Sequence, residues 1–299
     1  MNWVLLALLA PAVYTLNNFI DKYLVSNRIK DYRAIFVYSA IVGIGAGTII
    51  WLVTGRPVLD TFDASIVLLT GMLTVWGLPL YFKALSKEET TTIIILFQTI
   101  PIISLILAFF MLGETITLQQ ILGFVLIFIC ATLATVKKTK GKIFQLSPAF
   151  FYVLIFNFMW ALAGVLIKFA INATSFTKIL PYESWGIGIG GVVLFIFFPG
   201  IRKAFLKSIK TLKKPTIGVL LGNEVVFVSA KAITFLAYSL GPVALVSVLG
   251  GTQVFFGIIY GVLLTLLFPK LFKEDLDKNT LIKKGILGLG VLIGIILMS

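Results

Sequence analysis

Ten apolar stretches, separated by short polar gaps, occupy almost the whole chain of 299 residues. An α-helix needs about 20 apolar residues to cross a bilayer core about 30 Å thick, and backbone groups in lipid must be satisfied within their own segment. We therefore predict an all-α integral membrane protein with ten transmembrane helices, multi-pass in the plasma (inner) membrane of a bacterium. The predicted spans are residues 3–21, 33–54, 64–86, 91–112, 116–136, 149–170, 182–199, 216–240, 243–268 and 281–298.

The composition argues against most other classes of protein. Hydrophobic residues make up 59% of the chain and charged residues 12%, whereas soluble domains carry about 25% charged residues. Histidine is absent and Cys130 is the single cysteine, so the usual ligands of zinc and haem are missing. The chain also has no phosphate-binding loop, and its spans contain no paired carboxylates at catalytic spacing. We expect no enzymatic activity, no metal, no cofactor and no nucleic-acid partner; coupling to H⁺ or Na⁺ stays open.

The second half of the chain repeats the first. A lysine-rich gap divides two blocks of five spans, so we predict a first repeat at 1–136, a basic linker at 137–148 and a second repeat at 149–299. The matching positions, in chain order, are Tyr14–Lys22 with Trp160–Lys168, Gly43–Gly47 with Gly186–Gly190, Phe82–Ser86 with Phe235–Ser239, Thr99 with Thr252, and Gly123 with Gly285.

An odd number of spans in each repeat inverts the second repeat relative to the first, because it enters the membrane from the opposite side. Inverted repeats of this kind typically bind a solute at their interface near the middle of the bilayer and alternate between two access states. Two fused repeats supply what a dimer of half-sized proteins would supply, so a monomer suffices.

The positive charges favour one orientation. All of the Lys and Arg residues except Arg56, Lys168, Lys178 and Lys231 lie at the gaps that follow the first, third, fifth, seventh and ninth spans. The positive-inside rule places this side in the cytoplasm and both termini outside.

The arrangement resembles the EamA branch of the drug/metabolite transporter superfamily. In that family a proline in the fourth span is followed by Gly-Glu and by a glycine in the fifth span, and a Tyr, Ala, Leu pattern occurs in the third span. The second half departs from the pattern at two places, Val254 and the lysine-rich loop 270–278. The matching residues here are Pro101, Gly113, Glu114, Gly123, Tyr81, Ala84 and Leu85.

The resemblance implies ten helices and a transport function, but no particular substrate. Members of this superfamily are generally described with both termini in the cytoplasm, which is the reverse of the orientation that the charges favour. Both orientations therefore stay open.

Two charged residues inside the eighth span are the leading candidates for substrate binding. Glu224 and Lys231 are nearly two helical turns apart, so they share a face about 10 Å apart along the axis, and charges inside a membrane mark functional pathways by default. We expect Lys231 to bind a carboxylate or another anion, and Glu224 to bind a cation or carry a coupled proton. The alternative is two structural charges, capped by backbone carbonyls or extended towards an interface.

Other side chains in the spans are candidates for lining the same space. The alternative for each is a simpler role in helix packing or in anchoring at the membrane interface. Pro101 is predicted to kink the fourth span as a gate hinge. Gly45 in the second span and Gly188 in the seventh are predicted to form equivalent packing seams, along which a helix could slide. Asp21 and Lys22 are expected to pair locally. The further substrate-binding candidates are Asn17, Trp76, Tyr81, Gln98, Asn157, Trp160 and Gln253.

These features predict a secondary active transporter for a small polar or amphipathic metabolite, amino-acid-like or drug-like, with a central cavity at the repeat interface. The alternative is a flippase for a lipid or a lipid-linked headgroup on the same fold. The expected partners are a small-molecule substrate and the lipid bilayer.

Overall fold

The computed structural model describes residues 3–112, 117–139, 142–171, 176–240, 246 and 249–298, and it is predominantly helical. The helices of the first half are α1 (Trp3–Tyr23), α2 (Ile35–Val53), α3 (Thr61–Leu85), α4 (Thr90–Phe97), α5 (Ile100–Leu112) and α6 (Leu118–Thr135). Those of the second half are α7 (Pro148–Ile171), α8 (Phe176–Phe197), α9 (Pro199–Thr211), α10 (Lys214–Leu240), α11 (Gln253–Leu267) and α12 (Lys278–Met298).

Eight segments of the described chain are long and apolar enough to cross a membrane. They coincide with eight of the ten predicted spans, which makes the chain a multi-pass membrane protein. The predicted fifth and ninth spans correspond to shorter apolar helices, Leu118–Ala131 and Gln253–Leu267. Ten crossings therefore stay a prediction. The Gly-Glu of the family pattern, at positions 113 and 114, lies outside the described residues.

Two of the predicted polar gaps contain a pair of β-strands or an additional α-helix. The basic linker holds a short antiparallel hairpin, in which strand β1 (Val136–Thr139) pairs with strand β2 (Lys142–Leu146). The gap after the seventh span holds the additional helix α9. Its composition is too polar for a span, but its residues Ile201, Ala204 and Ser208 recur at helical spacing and are buried.

The fourth predicted span is divided into two helices. The backbone of Gln98 and Thr99 forms a turn between α4 and α5, with each N–H bonded to the carbonyl three residues before it. Pro101, in the first turn of α5, has no N–H to continue the helical ladder. The side-chain amide of Asn157 donates to the Leu96 carbonyl and to the Thr99 hydroxyl, both at 2.8 Å, and so bridges the interruption. The interruption lies where the sequence predicts a kink, and the hinge role of Pro101 stays a prediction.

Helices α2 and α8 approach closely through glycines. A β-carbon added at Gly43 would lie 2.8 Å from the Ser184 carbonyl oxygen, and one added at Gly188 would lie 2.3 Å from Cγ1 of Ile44. Gly45 differs, because a β-carbon there would have no neighbour within 4 Å. The structure therefore places Gly188 in this contact and Gly45 outside it.

Helix α3 packs against the same helix α8, also through glycines. A β-carbon added at Gly71 would lie 2.1 Å from the Glu183 carbonyl oxygen, and one at Gly186 would lie 2.2 Å from the Leu68 carbonyl oxygen. Real β-carbons do not approach backbone oxygens this closely, so the two helices can be this near only because both positions are glycine. Small residues thus hold α8 against two helices of the first half.

This packing predicts that Gly186→Ala destabilises the protein by about 1–3 kcal/mol, because the added methyl group must push the backbones of α3 and α8 apart. Gly45→Ala adds the same methyl group to open space on a helix, where alanine is the better helix former, and should leave stability unchanged or slightly higher. Thermal unfolding of both variants in detergent measures the difference. Equal melting temperatures for the two variants would contradict the close contact.

Candidate functional site

A chain of hydrogen bonds between buried polar side chains ends at Asp21. Gln253 donates to Oδ1 of Asn18 at 3.1 Å, the Asn18 amide donates to the Tyr81 hydroxyl at 3.0 Å, and that hydroxyl donates to Oδ2 of Asp21 at 2.9 Å. From α10, the Asn223 amide donates to Oδ1 of Asp21 at 2.7 Å. The network joins α1, α3, α10 and α11, and it includes the predicted candidates Tyr81 and Gln253.

Asp21 is a buried carboxylate. The sequence predicts a local pair between Asp21 and Lys22, and that prediction is wrong. The Lys22 ammonium donates instead to the backbone carbonyls of Leu85 and Glu88, at 2.6 and 2.7 Å. Within the described residues, no lysine or arginine forms an ion pair with Asp21. Its signal in the sequence is that it is the one acidic residue of the first predicted span.

The two leading candidates of the eighth span contact different helices. Ser39 of α2 donates to Oε1 of Glu224 at 2.5 Å. Lys231 forms an ion pair with Glu183 of α8, and the two side chains are 7% and 1% exposed. Glu183 was missed in the sequence, where it follows a proline and a tyrosine near the start of the seventh span.

The Lys231–Glu183 pair is not fully satisfied by the protein. Oε2 of Glu183 is buried and has no hydrogen-bond partner among the described residues. The Lys231 ammonium also lies 5.2 Å from the centre of the Phe227 ring, so the pair borders an aromatic surface.

Aromatic rings connect the Asp21 network to this ion pair. Adjacent ring centroids are separated by 5.5 to 6.1 Å along the series Tyr81, Phe97, Phe156, Trp160, Phe227 and Tyr14. Trp160 and Tyr14, which occupy matching positions of the two predicted repeats, both contact Phe227. The predicted candidate Trp160 therefore lies in the aromatic series between the two polar groups.

The other candidates bind backbone groups. Asn17 donates to the Asn223 carbonyl at 3.2 Å, and Gln98 donates to the Ile94 carbonyl at 3.2 Å. The Trp76 indole donates to the Gly190 carbonyl at 3.2 Å, which joins α3 to α8. Each contact satisfies a polar group between or within helices, which is the simpler of the two roles that the sequence left open.

A cavity of about 600 Å³ lies at the ends of α1, α3, α4 and α12, on the side of the basic gaps. None of the nine predicted substrate-binding residues lines it. In its wall the Lys284 ammonium donates to Glu89 at 2.5 Å and to Glu274 at 2.9 Å, and the Thr91 hydroxyl also donates to Glu274. This cluster joins the start of α4, in the first half, to the loop before α12 and to α12 itself.

The two carboxyl groups of this cluster differ in pKa. Burial, together with the neighbouring charge of Glu274, raises the pKa of Glu89 above its ordinary value. Burial also raises the pKa of Glu274, but the charge of Lys284 and the hydrogen bond from Thr91 outweigh it and leave that pKa below its ordinary value. Of the two carboxyl groups, Glu89 is therefore the more readily protonated one.

Nothing in the described residues is arranged as a metal site, since no three His, Cys, Asp or Glu side chains are grouped there to hold an ion. The buried charges and amides instead form contacts between helices that a bound solute or a proton could replace.

Known proteins match this chain at the level of family and fold. The EamA-like transporter family matches residues 1–136, which confirms the resemblance over the first half of the chain. No curated protein sequence matches the chain. Twenty-one solved chains do match. One of them, described only as "Crystal structure of protein", has a TM-score of 0.52 at 11% identity and covers 97% of this chain and 99% of its own length. At that identity the likeness shows the fold alone.

We predict that Lys231→Met destabilises the protein by about 3–5 kcal/mol, because it leaves the Glu183 carboxylate buried without its partner. The double variant Glu183→Gln/Lys231→Met removes both charges and should recover most of that loss. Lys178→Met, an exposed lysine on the same helix as Glu183, is the matched control and should unfold like the parent protein. Thermal unfolding in detergent measures all three. A double variant no more stable than Lys231→Met would argue against the pair.

The cluster around Lys284 predicts a pH-dependent difference between two variants. A carboxyl group whose pKa is lowered by folding contributes stability above its unfolded pKa and loses that contribution as the pH falls through its folded pKa. Glu274→Gln should therefore lower the melting temperature at pH 7, and the difference from the parent protein should disappear in acid, below the ordinary carboxyl pKa.

Glu89→Gln should behave differently, because a raised folded pKa means that folding disfavours the ionised form. At pH 7, Glu89→Gln should therefore leave the melting temperature unchanged or raise it, whereas Glu274→Gln lowers it. The difference between Glu89→Gln and the parent protein should close at a higher pH, as Glu89 becomes protonated in the parent protein. Melting temperatures measured between pH 3 and 8 separate the two variants. The same pH profile for both would show that the two carboxyl groups are equivalent.

Proposed function

We propose that this multi-pass membrane protein is a secondary active transporter of a small polar or amphipathic metabolite and that it works by alternating access. Its two halves, 1–136 and 149–299, are inverted repeats of five spans each, a monomer contains one complete transport unit, and the protein resides in the plasma membrane of a bacterium. The observation that carries this proposal is the symmetric pairing of helices between the halves.

A two-fold axis relating the halves requires helix contacts to occur in matched sets. If α1, α2, α3 and α6 correspond to α7, α8, α10 and α12, the pairing of α1 with α10 should be matched by a pairing of α7 with α3, and both occur. Helices that correspond to each other should pair across the axis, as α2 does with α8 and α6 with α12. The same axis also relates the contact of α1 with α11 to the contact of α7 with α5.

One matched set is unequal, and alternating access accounts for the difference. Helices α3 and α8 pack tightly through Gly71 and Gly186, but the corresponding helices α10 and α2 make a smaller contact, in which Ser39 meets Glu224. In an inverted repeat, exchange between the two access states exchanges the tight and the loose contact. The loose contact and the charged cavity both lie towards the basic side, and in this proposal they belong to the state that is open on that side.

The substrate region in this proposal is the aromatic series between the Asp21 network and the Lys231–Glu183 pair. Lys231 binds an anionic group of the substrate, which replaces Glu183 as its partner. Glu183 is then available to a cationic group, the role first assigned to Glu224. Asp21, which forms no ion pair within the described residues, and Glu224 are the candidates to carry a coupled proton or bind Na⁺.

The experiment is transport by purified protein in proteoliposomes. A thermal-shift screen of metabolites first selects compounds that stabilise the folded protein, and counterflow with the radiolabelled compound then measures transport. We expect saturable uptake by the parent protein, at least tenfold slower uptake with Glu183→Gln/Lys231→Met, and unchanged uptake with Lys178→Met. The double variant is informative because its charges are balanced, so a loss of uptake without a loss of stability assigns the pair to substrate rather than to folding.

Two results would contradict the proposal. If the double variant transports at the rate of the parent protein, the ion pair has only a structural role. If the proteoliposomes move fluorescently labelled lipid between leaflets but no water-soluble compound, the flippase alternative is the function.

A further inference from the structure

Helix α9 lies between the end of α8 and the start of α10, on the side of the basic gaps. One of its faces packs against the rest of the protein. Ile201, Ala204 and Ser208 are buried along this face. The Tyr38 hydroxyl lies 3.2 Å from the Ser208 hydroxyl, and the Tyr38 and Phe205 rings are 5.1 Å apart. These contacts hold α9 against the first turn of α2, so its opposite face points away from the rest of the protein.

The opposite face of α9 carries both basic residues and exposed apolar residues. Leu206 and Ile209 are about half exposed, at 50% and 52%. The helix and the three residues that follow its end carry a series of positive charges without any acidic residue between positions 198 and 223. These charges are Arg202, Lys203, Lys207, Lys210, Lys213 and Lys214, and all six side chains are exposed.

The spacing puts these charges beside the apolar residues rather than around the helix. Lys203, Lys207 and Lys210 recur at i, i+4 and i+7 and so share one face, while Leu206 and Ile209 border it. A basic amphipathic helix with exposed apolar residues is the pattern of a segment that lies in the membrane interface. The neighbouring spans also place α9 at the membrane interface. Helix α8 ends at Phe197 and α10 begins at Lys214, where the two spans leave the membrane.

One acidic group close to this face is already engaged. Asp31, close to Lys207, accepts two hydrogen bonds from the Arg33 guanidinium, at 2.8 and 2.6 Å, and these bonds lower the pKa of Asp31 below its usual range. The basic face of α9 therefore has an excess of positive charge that an anion from outside the protein would compensate.

We propose that the exposed face of α9 is a docking surface for anionic phospholipids, with Lys203, Lys207 and Lys210 on the headgroup phosphates and Leu206 and Ile209 among the upper acyl chains. The proposal commits to lipid rather than a soluble anion because the apolar residues accompany the charges. Since α9 is attached to α2 and continues from α8, lipid bound there acts on the pair of helices that meets across the proposed two-fold axis. This surface does not depend on the transported substrate.

Lipid binding is measured on the full chain in a neutral detergent. The protein is titrated with phosphatidylglycerol or with phosphatidylcholine of the same acyl chains, and bound lipid is counted by native mass spectrometry. We expect the parent protein to prefer phosphatidylglycerol, and the variant Lys203→Gln/Lys207→Gln/Lys210→Gln to bind it about tenfold more weakly, since each lysine at an anionic surface adds to the attraction. Added salt should weaken binding to the parent protein in the same direction.

A matched control removes the same charge from another basic gap on the same side. Lys270→Gln/Lys273→Gln/Lys278→Gln alters three exposed lysines that are interspersed with Glu274, Asp275 and Asp277, and it should retain the preference for phosphatidylglycerol. The charge-conserving variant Lys203→Arg/Lys207→Arg/Lys210→Arg should also retain it, which separates loss of charge from loss of folding.

Three results would overturn the proposal. These are equal binding of the two lipids by the parent protein, equal losses in the α9 variant and the control variant, and full competition by inorganic phosphate at matched concentration. The last result would show a site for a soluble anion instead of a lipid surface.

Discussion

A polar side chain in the interior of a membrane has no water to form hydrogen bonds with, and leaving it without a partner costs free energy. This cost determines which helices of the protein are in contact. Asp21 on α1 is satisfied by Tyr81 on α3 and Asn223 on α10, so one carboxylate holds three helices at a fixed distance. Lys231 in the same way requires Glu183 on α8. Contacts of this kind determine which helices are neighbours, because apolar faces alone have little preference among partners in lipid.

Glycine contacts and polar contacts converge on one residue of α8. The backbone of Glu183 lies against Gly71 of α3, where only a glycine fits, and its side chain binds Lys231 of α10. A movement that separates α3 from α8 therefore also changes the position of the Glu183 carboxylate relative to Lys231. The tight helix contact and the buried ion pair thus share one residue of α8, and in the proposed mechanism this residue would link a change of access to a change at the substrate site.

Periodicity and charge in the sequence predicted most of the spans, because apolar length is a local property of the chain. The partners of the buried charges could not be predicted in this way. The spacing of Glu224 and Lys231 correctly places both on α10, but it does not reveal that Ser39 and Glu183 come from two other helices. Asp21 was misjudged because a neighbouring lysine in the sequence looked like a partner, and helix α9 was missed because its basic residues resemble those of a loop. The errors about Ser39, Glu183 and Asp21 concern tertiary contacts, which no local pattern records.

The last turns of α1 contact both the charged cavity and the network around the buried carboxylate of Asp21. Phe19 and Lys22, three residues apart, line the cavity, whereas Asn18 and Asp21, also three residues apart, belong to the buried network. Residues three apart share a helix face, and these two faces are adjacent because each pair is offset by one residue. Any shift of α1 that changes the cavity therefore also acts on the hydrogen bonds to Asp21. We infer that this segment is where access from the basic side and occupation of the buried site are coupled.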